Sequence, residues 1–405
     1  MTESVPAPPR RILLVDCDMF FVQVARLEDP EGAGRKPLLL VGGSPSGRGV
    51  VTSASYEVRA FGVRSGMPTA QALRLCPEAT AVPVSRTGCA RKSRAVKDTL
   101  QRVAPVVQAA SIDEFYLDLS GTERLFAENL TATAQRIHEQ VLADTDISVS
   151  VGGGTSRVIA QLDVRRAKPG GVLVVPPGRE REFMRAHRLA ELPGVGPAFA
   201  EELRRRGLVR VEDAIRVERA WLRAWLGENR GDWLYERMRG IDSSAVLARE
   251  PRKSVSSERT FARDLEGDRT VERELLRLCV SATAVLRRAD LCTRTVTVKL
   301  RDSDFTTRQS GHSLPDPVET DHAVYAVALP LLRELRQRRR APVRLLGVGL
   351  SGLTERDTPA QLGLFPGSDP VESDRDRMLA RVVDDLCDRF GRGTVLPGRV
   401  LEREP

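Results

Sequence analysis

The sequence predicts an α+β protein built from more than one domain, and three observations predict it. Between residues 11 and 175 short apolar strands alternate with amphipathic helical stretches around a central hairpin. From Pro177 to Ile241 the pattern turns helical and charged, and from Val255 to Leu353 a second mixed unit follows. A chain of 405 residues has room for two to four domains, each with its own core.

In the first stretch the candidate strands are residues 12–15, 37–41, 50–52, 106–112, 115–119, 147–151 and 172–175. Candidate helices run near 55–61, 70–75, 91–103, 131–142 and 156–166. The segment 248–254, charged and broken by Pro251, reads as a linker. The second unit carries strands near 293–300 and 343–350, and after Gly352 the composition becomes that of a flexible polar tail.

The formal charge of +8, much of it arginine, favours a polyanionic partner. Six scattered cysteines without a C-x-x-C spacing read as reduced thiols, and four dispersed histidines argue against a histidine metal site. No secretion signal opens the chain and no apolar run approaches bilayer length, so a soluble cytoplasmic protein without a membrane partner is expected.

Two acidic pairs interrupt or close apolar strands. Asp16 and Asp18 end the run Ile12-Leu13-Leu14-Val15, and Asp113-Glu114 splits a stretch rich in β-branched and aromatic residues. Acids at the ends of core strands either face water or share a cation, because buried carboxylates are costly alone. Neighbours on a regular strand point to opposite faces, so Asp113 and Glu114 reach one site only where the pleat is broken. Asp16, Asp113 and Glu114 are the proposed metal ligands, with Asp18 ranked behind them. With a triphosphate they could hold two Mg²⁺ ions, one activating a 3′-hydroxyl and one holding pyrophosphate.

Small and hydroxyl residues open a helix at Ser53-Ala54-Ser55-Tyr56, where free backbone N–H groups attract anions. Tyr56 and Arg59 share a face of that helix and could reach the same phosphates; an ordinary N-cap beside a solvated arginine is the other reading. Lys168, in a loop after a helix, is a second candidate cation or simply solvated. The run Gly152-Gly153-Gly154-Thr155-Ser156 lacks the Gly-Lys-Ser/Thr ending of a P-loop.

Three motifs occur in order: Val15-Asp16-Cys17-Asp18-Met19-Phe20-Phe21, Ser53-Ala54-Ser55-Tyr56-Glu57-Val58-Arg59 continuing to Gly66-Met67-Pro68, and Ser111-Ile112-Asp113-Glu114. Leu192-Pro193-Gly194-Val195-Gly196, Arg252-Lys253-Ser254-Val255-Ser256 and Thr295-Val296-Thr297-Val298-Lys299-Leu300-Arg301 continue the pattern. Together they resemble the Y-family translesion DNA polymerases of the DinB-type branch, over roughly residues 11 to 353.

The resemblance implies a right-hand polymerase with a ferredoxin-like palm (10–19 and 86–175), small fingers (20–85), a helical thumb with a helix-hairpin-helix (176–242), a linker (243–254), an α+β little finger (255–353) and a tail (354–405). It implies a low-fidelity DNA-templated polymerase without proofreading, a monomer acting on primer–template DNA and dNTPs with two Mg²⁺ ions, or Mn²⁺ in their place. It makes Asp16, Asp113 and Glu114 catalytic, with the Cys17 carbonyl a minor metal ligand. Ser53, Tyr56, Arg59 and Lys168 become triphosphate contacts. Phe21 becomes the steric gate against a ribose 2′-hydroxyl, since an apolar ring fills that space and offers no hydrogen bond. Gly194 and Gly196 would bring backbone N–H groups to a DNA phosphate, and Arg252, Lys253 and Arg308 would add backbone contacts.

Two positions depart from the family pattern: Gln161, where a lysine is frequent, and Arg165, where an acidic or small residue is frequent. In the tail, Gln361-Leu362-Gly363-Leu364-Phe365 resembles the peptide by which bacterial polymerases bind the sliding clamp, with Gln361, Leu362, Leu364 and Phe365 as its contacts. Beyond it, Met378, Leu379, Val382, Val383, Leu386 and Phe390 have helical spacing, facing either a partner or the core. A noncatalytic adaptor that binds DNA and the clamp is the alternative, and a nucleotide cyclase a third possibility.

Overall fold

The computed structural model describes residues 8–356, 372–391 and 393–401, and the chain divides into two units, Met1–Glu250 and Pro251–Pro405. The first unit runs β1 (Ile12–Cys17), α1 (Phe20–Glu28), β2 (Leu39–Gly42), β3 (Val51–Ala54), α2 (Tyr56–Ala60), α3 (Thr69–Leu75), β4 (Thr80–Val82), α4 (Arg86–Val103), β5 (Val106–Ala109) and β6 (Glu114–Asp118). It continues with α5 (Glu123–Phe126), α6 (Leu130–Thr145), β7 (Val149–Gly154), α7 (Arg157–Ala167), β8 (Val172–Val174), α8 (Glu180–Arg185), α9 (Pro197–Arg205), α10 (Val211–Ala214), α11 (Arg219–Leu226) and α12 (Glu228–Arg237).

Its main sheet has the order β5-β6-β1-β7-β8, so the acidic strand β1 lies at the centre. The period of two splits β1 cleanly. Leu13, Val15 and Cys17 pack with α4 and α6, while Ile12 and Leu14 join Ala160 and Val164 of α7 on the other face. Ile12, Leu13, Leu14 and Val15 are fully buried. Together they stabilise by roughly 6–12 kcal/mol, enough to hold an unfavourable carboxylate at the strand's end. The glycine run is explained by α7: a Cβ on Gly152 would lie 2.1 Å from the Val164 nitrogen, so only glycine lets helix and strand approach.

A smaller sheet, β3-β2-β4, packs with α2 and α3. Helices α8 to α12 gather around Leu203, Leu222, Leu234 and Met238. Two elements escaped the sequence reading. Helix α1 follows Met19, whose left-handed backbone (φ 38°) turns the chain straight from β1 into a helix without a capping side chain. Strand β4 has three residues only. The strand expected over 106–112 stops at Ala109, because residues 110–113 form the hairpin turn.

The expected linker is mostly held to the first unit. Val246 is buried among Ile12, Leu14 and Tyr116, and Gln108 bonds the Leu247 nitrogen and the Glu250 carboxylate.

The second unit runs β9 (Ser254–Leu265), α13 (Asp268–Arg288), β10 (Leu291–Asp302), β11 (Thr307–Val318), α14 (Asp321–Arg338), β12 (Val343–Glu355), α15 (Asp374–Phe390) and α16 (Gly398–Leu401). The sheet order is β11-β10-β12-β9, with α13 and α14 on its apolar face. The two strands missed in the sequence, β9 and β11, are its edges; β11 tolerates Pro315 and Pro317 because edge positions need no full ladder.

The tail is not uniformly irregular, as its composition suggested. Helix α15 docks on this unit through a bidentate pair, Arg287 Nε and Nη2 to Asp384 at 2.7 and 2.8 Å. Glu372 accepts hydrogen bonds from the nitrogens of Glu319 (3.0 Å) and Thr320 (2.6 Å). Arg356 Nε donates to the fully buried Glu319 carboxylate at 2.7 Å. The peptide with Gln361, Leu362, Leu364 and Phe365 lies outside the described residues. No helix among the described residues is long and apolar enough to cross a membrane.

Candidate active site

Antiparallel register places Asp16 directly opposite Glu114. Directly opposed residues share a face with Cβ atoms about 5 Å apart, and like charges there repel. Asp113 occupies the turn before β6, and its carbonyl accepts the Cys17 N–H at 2.9 Å. The break in the pleat that lets Asp113 and Glu114 serve one site is this turn. Ser111 holds it, its Oγ accepting from the nitrogens of Asp113 (3.2 Å) and Glu114 (3.0 Å) and donating to the Asp113 carboxylate.

Lys168, just past α7, reaches back so that its Nζ donates to Asp16 Oδ1 at 2.7 Å. Burial nevertheless pushes the Asp16 carboxyl up to about 6; Lys168 opposes the shift, and Glu114 and Asp113 add to it. The Cys17 thiol is also raised, chiefly by burial.

Asp18 is more central than its rank in the sequence reading. It is 1 % exposed and accepts hydrogen bonds from Tyr56 Oη (2.9 Å), Ser150 Oγ (2.9 Å) and the Gly170 nitrogen (2.9 Å). Its backbone is pinned by Gln23, whose amide also bonds both the nitrogen and the carbonyl of Ser148. Sequence signals for Ser150 and Gln23 were slight, since each is an ordinary polar residue inside a regular element.

Ser55 caps α2, its Oγ accepting from Val58 nitrogen at 3.4 Å and donating to the Pro37 carbonyl at 2.8 Å. Ser53 is buried on β3. Arg59 Nε donates to the Ala54 carbonyl at 2.9 Å, and its guanidinium lies 4.9 Å from the Tyr56 ring centre. The Tyr56 hydroxyl is raised far above the phenol range by burial and by Asp18. Tyr56, expected on the triphosphate, is thus bonded to Asp18 in this state. Phe21 is half-buried and packs edge-on against the buried Phe20, ring centres 5.6 Å apart.

The other expected residues lie elsewhere. Gly194 has φ 96°, and a Cβ on it would lie 2.6 Å from Trp233; Gly196 precedes α9, whose first residue is Pro197. Arg252 and Lys253 are exposed. Arg308, expected on a DNA backbone, is instead bound to the fully buried Asp302 (2.9 Å) and to the carbonyls of Leu335 and Arg339. The departure at Arg165 has a structural use: it donates to the Glu191 carbonyl at 2.9 Å, joining α7 to the loop before α9. Gln161 is half-buried on α7.

Carboxylate oxygens from Asp16, Asp113 and Glu114, with the Cys17 carbonyl, are the donor set a hard divalent cation takes, and their mutual repulsion is what it would relieve. Among the described residues no three His, Cys, Asp or Glu form a closed ion cage. Such a site needs none when substrate phosphates complete the coordination.

Residues 15–164 match the impB/mucB/samB family, 252–364 its C-terminal domain, and 190–242 the DNA polymerase-iota thumb domain. DNA polymerase IV of Halorhodospira halophila is 38% identical over 353 residues, covering 87% of this chain and 98% of that protein. The chain belongs to the DNA polymerase IV family. DNA polymerase IV of Desulfatibacillum aliphaticivorans is 35% identical over 401 residues, 99% of this chain and 98% of that protein.

Among solved structures, a Y-family DNA polymerase chimera superposes with a TM-score of 0.78 at 26% identity, covering 85% of this chain and 99% of that one. The insertion ternary complex of Dbh DNA polymerase gives 0.59 at 26% identity, with the same coverage. The fold is therefore the right-hand polymerase of the Y family, with palm, small fingers, helix-hairpin-helix thumb and α+β little finger.

Proposed function

We propose that this DNA polymerase IV family member is a translesion enzyme: a DNA-templated, low-fidelity nucleotidyltransferase that joins dNTPs to a primer 3′-hydroxyl without proofreading. The observation that carries this reading is the cross-strand pair Asp16–Glu114 beside the Asp113 turn, in a chain of this family. The palm would be 10–19 and 86–175, the fingers 20–85, the thumb 176–242 and the little finger 255–353.

Asp16, Asp113, Glu114 and the Cys17 carbonyl would hold two divalent ions, Mg²⁺ in this reading with Mn²⁺ a substitute. When bound, these ions supply a more acidic 3′-hydroxyl and charge neutralisation at the departing pyrophosphate. The chain's own residues do the positioning. Lys168 starts on Asp16 and is close enough to turn to an incoming phosphate once cations take over the carboxylate. Arg59, Ser53 and Tyr56 stand on the fingers side to meet the same triphosphate. Phe21 presents its ring to the sugar. Gly194 and Gly196 of the thumb, with Arg252 and Lys253, would hold the DNA backbone.

The peptide Gln361, Leu362, Leu364 and Phe365 would dock on a sliding clamp, raising the enzyme's concentration at primer ends. A noncatalytic adaptor is disfavoured because all three acids are present. The deciding assay is primer extension with Mg²⁺ on undamaged and minor-groove-adducted templates. Wild type should extend both, and Asp113→Ala neither; a wild type that extends no primer would sink the enzyme reading.

A further inference from the structure

The face of the palm sheet that carries Asp16 and Glu114 also carries a second polar cluster. Gln108 on β5 is opposite Tyr116 on β6, two residues beyond Glu114, and is 8 % exposed. Its amide is used at both ends. The oxygen accepts from the Leu247 nitrogen and from Arg157 Nη1, each at 3.1 Å, and the nitrogen donates to Glu250 Oε1 at 2.7 Å. Arg157 also donates to the Ala245 carbonyl at 2.8 Å, and its guanidinium stacks 4.2 Å from the Tyr116 ring centre. Between these bonds Val246 is buried among Ile12, Leu14 and Tyr116. Upstream, Arg10 donates to the Ser244 carbonyl at 3.1 Å.

We infer that Gln108 is a positioning residue, the centre of a clasp that fastens residues 244–250 to the palm and leaves only residues 251–253 as the tether to the second unit. The side chain is specific. Alanine leaves the Leu247 nitrogen without its acceptor, and glutamate sets one carboxylate against another at Glu250. Three residues span about 10 Å at full extension, whereas the eleven from 243 to 253 span about 37 Å. Effective concentration falls with about the −3/2 power of tether length, so opening the clasp dilutes the second unit five- to tenfold at DNA held by the first. Arg252 and Lys253, the exposed cations of the tether, stay within that short reach only while the clasp is closed. The inference rests on the proposed reading that both units grip DNA.

The test uses the full chain and a charge exchange across the 2.7 Å bond. Gln108→Glu should speed hydrogen exchange at the Leu247 amide and weaken primer–template binding five- to tenfold. Single-turnover rate at saturating DNA and dNTP should not change. Adding Glu250→Gln to it restores a donor facing an acceptor, and should return both exchange and affinity towards wild type. Gln108→Ala should open the clasp without a rescue by Glu250→Gln. Unchanged exchange in Gln108→Glu, faster exchange with unchanged affinity, or failure of the rescue would each overturn the inference. A wild type that binds no DNA would overturn the polymerase reading instead, because the clasp is read separately in DNA-free protein.

Discussion

Tyr56 Oη donates to Asp18 Oδ1 at 2.9 Å, so a helix of the fingers is bonded to the carboxylate beneath the catalytic strand. Asp18 keeps Ser150 and the Gly170 nitrogen as donors when Tyr56 leaves. The phenol is thus free to exchange partners with an arriving triphosphate. Tyr56→Phe removes both bonds and should cost about 1 kcal/mol of stability, with KM for dNTP raised several-fold and the templated base choice unchanged. Thermal melting and steady-state incorporation read the two effects separately.

Divalent cations should stabilise the folded protein before any substrate is present. At a hundred times its Kd a ligand that binds only the native state adds about 2.7 kcal/mol. Wild type should therefore melt higher with Mg²⁺ or Mn²⁺ than with a chelator, and Asp113→Ala should show little of that gain.

Asp163 gives a pH dependence unconnected with the ions. It lies on α7, 3 % exposed, and one of its oxygens is without a hydrogen-bond partner. Burial pushes its carboxyl up to about 6, against the Gly153 N–H and Arg166, which pull it down. Below the ordinary carboxylate value both states are protonated and nothing is lost. Between about pH 4 and 6 the unfolded chain ionises first, so stability falls as pH rises, and above about 6 the full penalty stays. Asp163→Asn should raise stability at pH 7.5 by on the order of 1–3 kcal/mol and leave it unchanged near pH 3.5. Equal effects at both values would assign the gain to packing.

Phe21→Ala should admit ribonucleotides, increasing their incorporation tenfold or more relative to deoxyribonucleotides while the fold holds. Phe20, which fills the core behind it, should tolerate no such change. Unaltered sugar discrimination in Phe21→Ala would remove Phe21 from the gate.

Leu364→Ala combined with Phe365→Ala should abolish stimulation by a bacterial sliding clamp and spare extension in its absence. Loss of both activities together would argue against a docking peptide.

The acids were legible in the sequence because their cost is local: a carboxylate at the end of Ile12-Leu13-Leu14-Val15 calls for an explanation wherever the strand lies. Their pairing was not, because Asp16 meets Glu114 only through a register set ninety-eight residues away. The edge strands β9 and β11 escaped for a related reason. Their exposed residues are polar and their ladders one-sided, so the alternation that announces a half-buried strand is blurred. Helix α1 was hidden by its abrupt start, since nothing in Asp18-Met19-Phe20 resembles an ordinary cap. The linker misled through its composition: Arg249, Glu250 and Pro251 read as solvated, while Gln108, which holds them, lies far back in the chain.

Arg356 and Glu372 are both fastened at one peptide, Glu319–Thr320. A partner that seizes the chain between them pulls on two anchors planted side by side in the second unit. Tension on Leu364 and Phe365 would then be resisted by a buried ion pair at each end before it reached α15. Such a partner would tow the whole unit, rather than unravel a loose end from it.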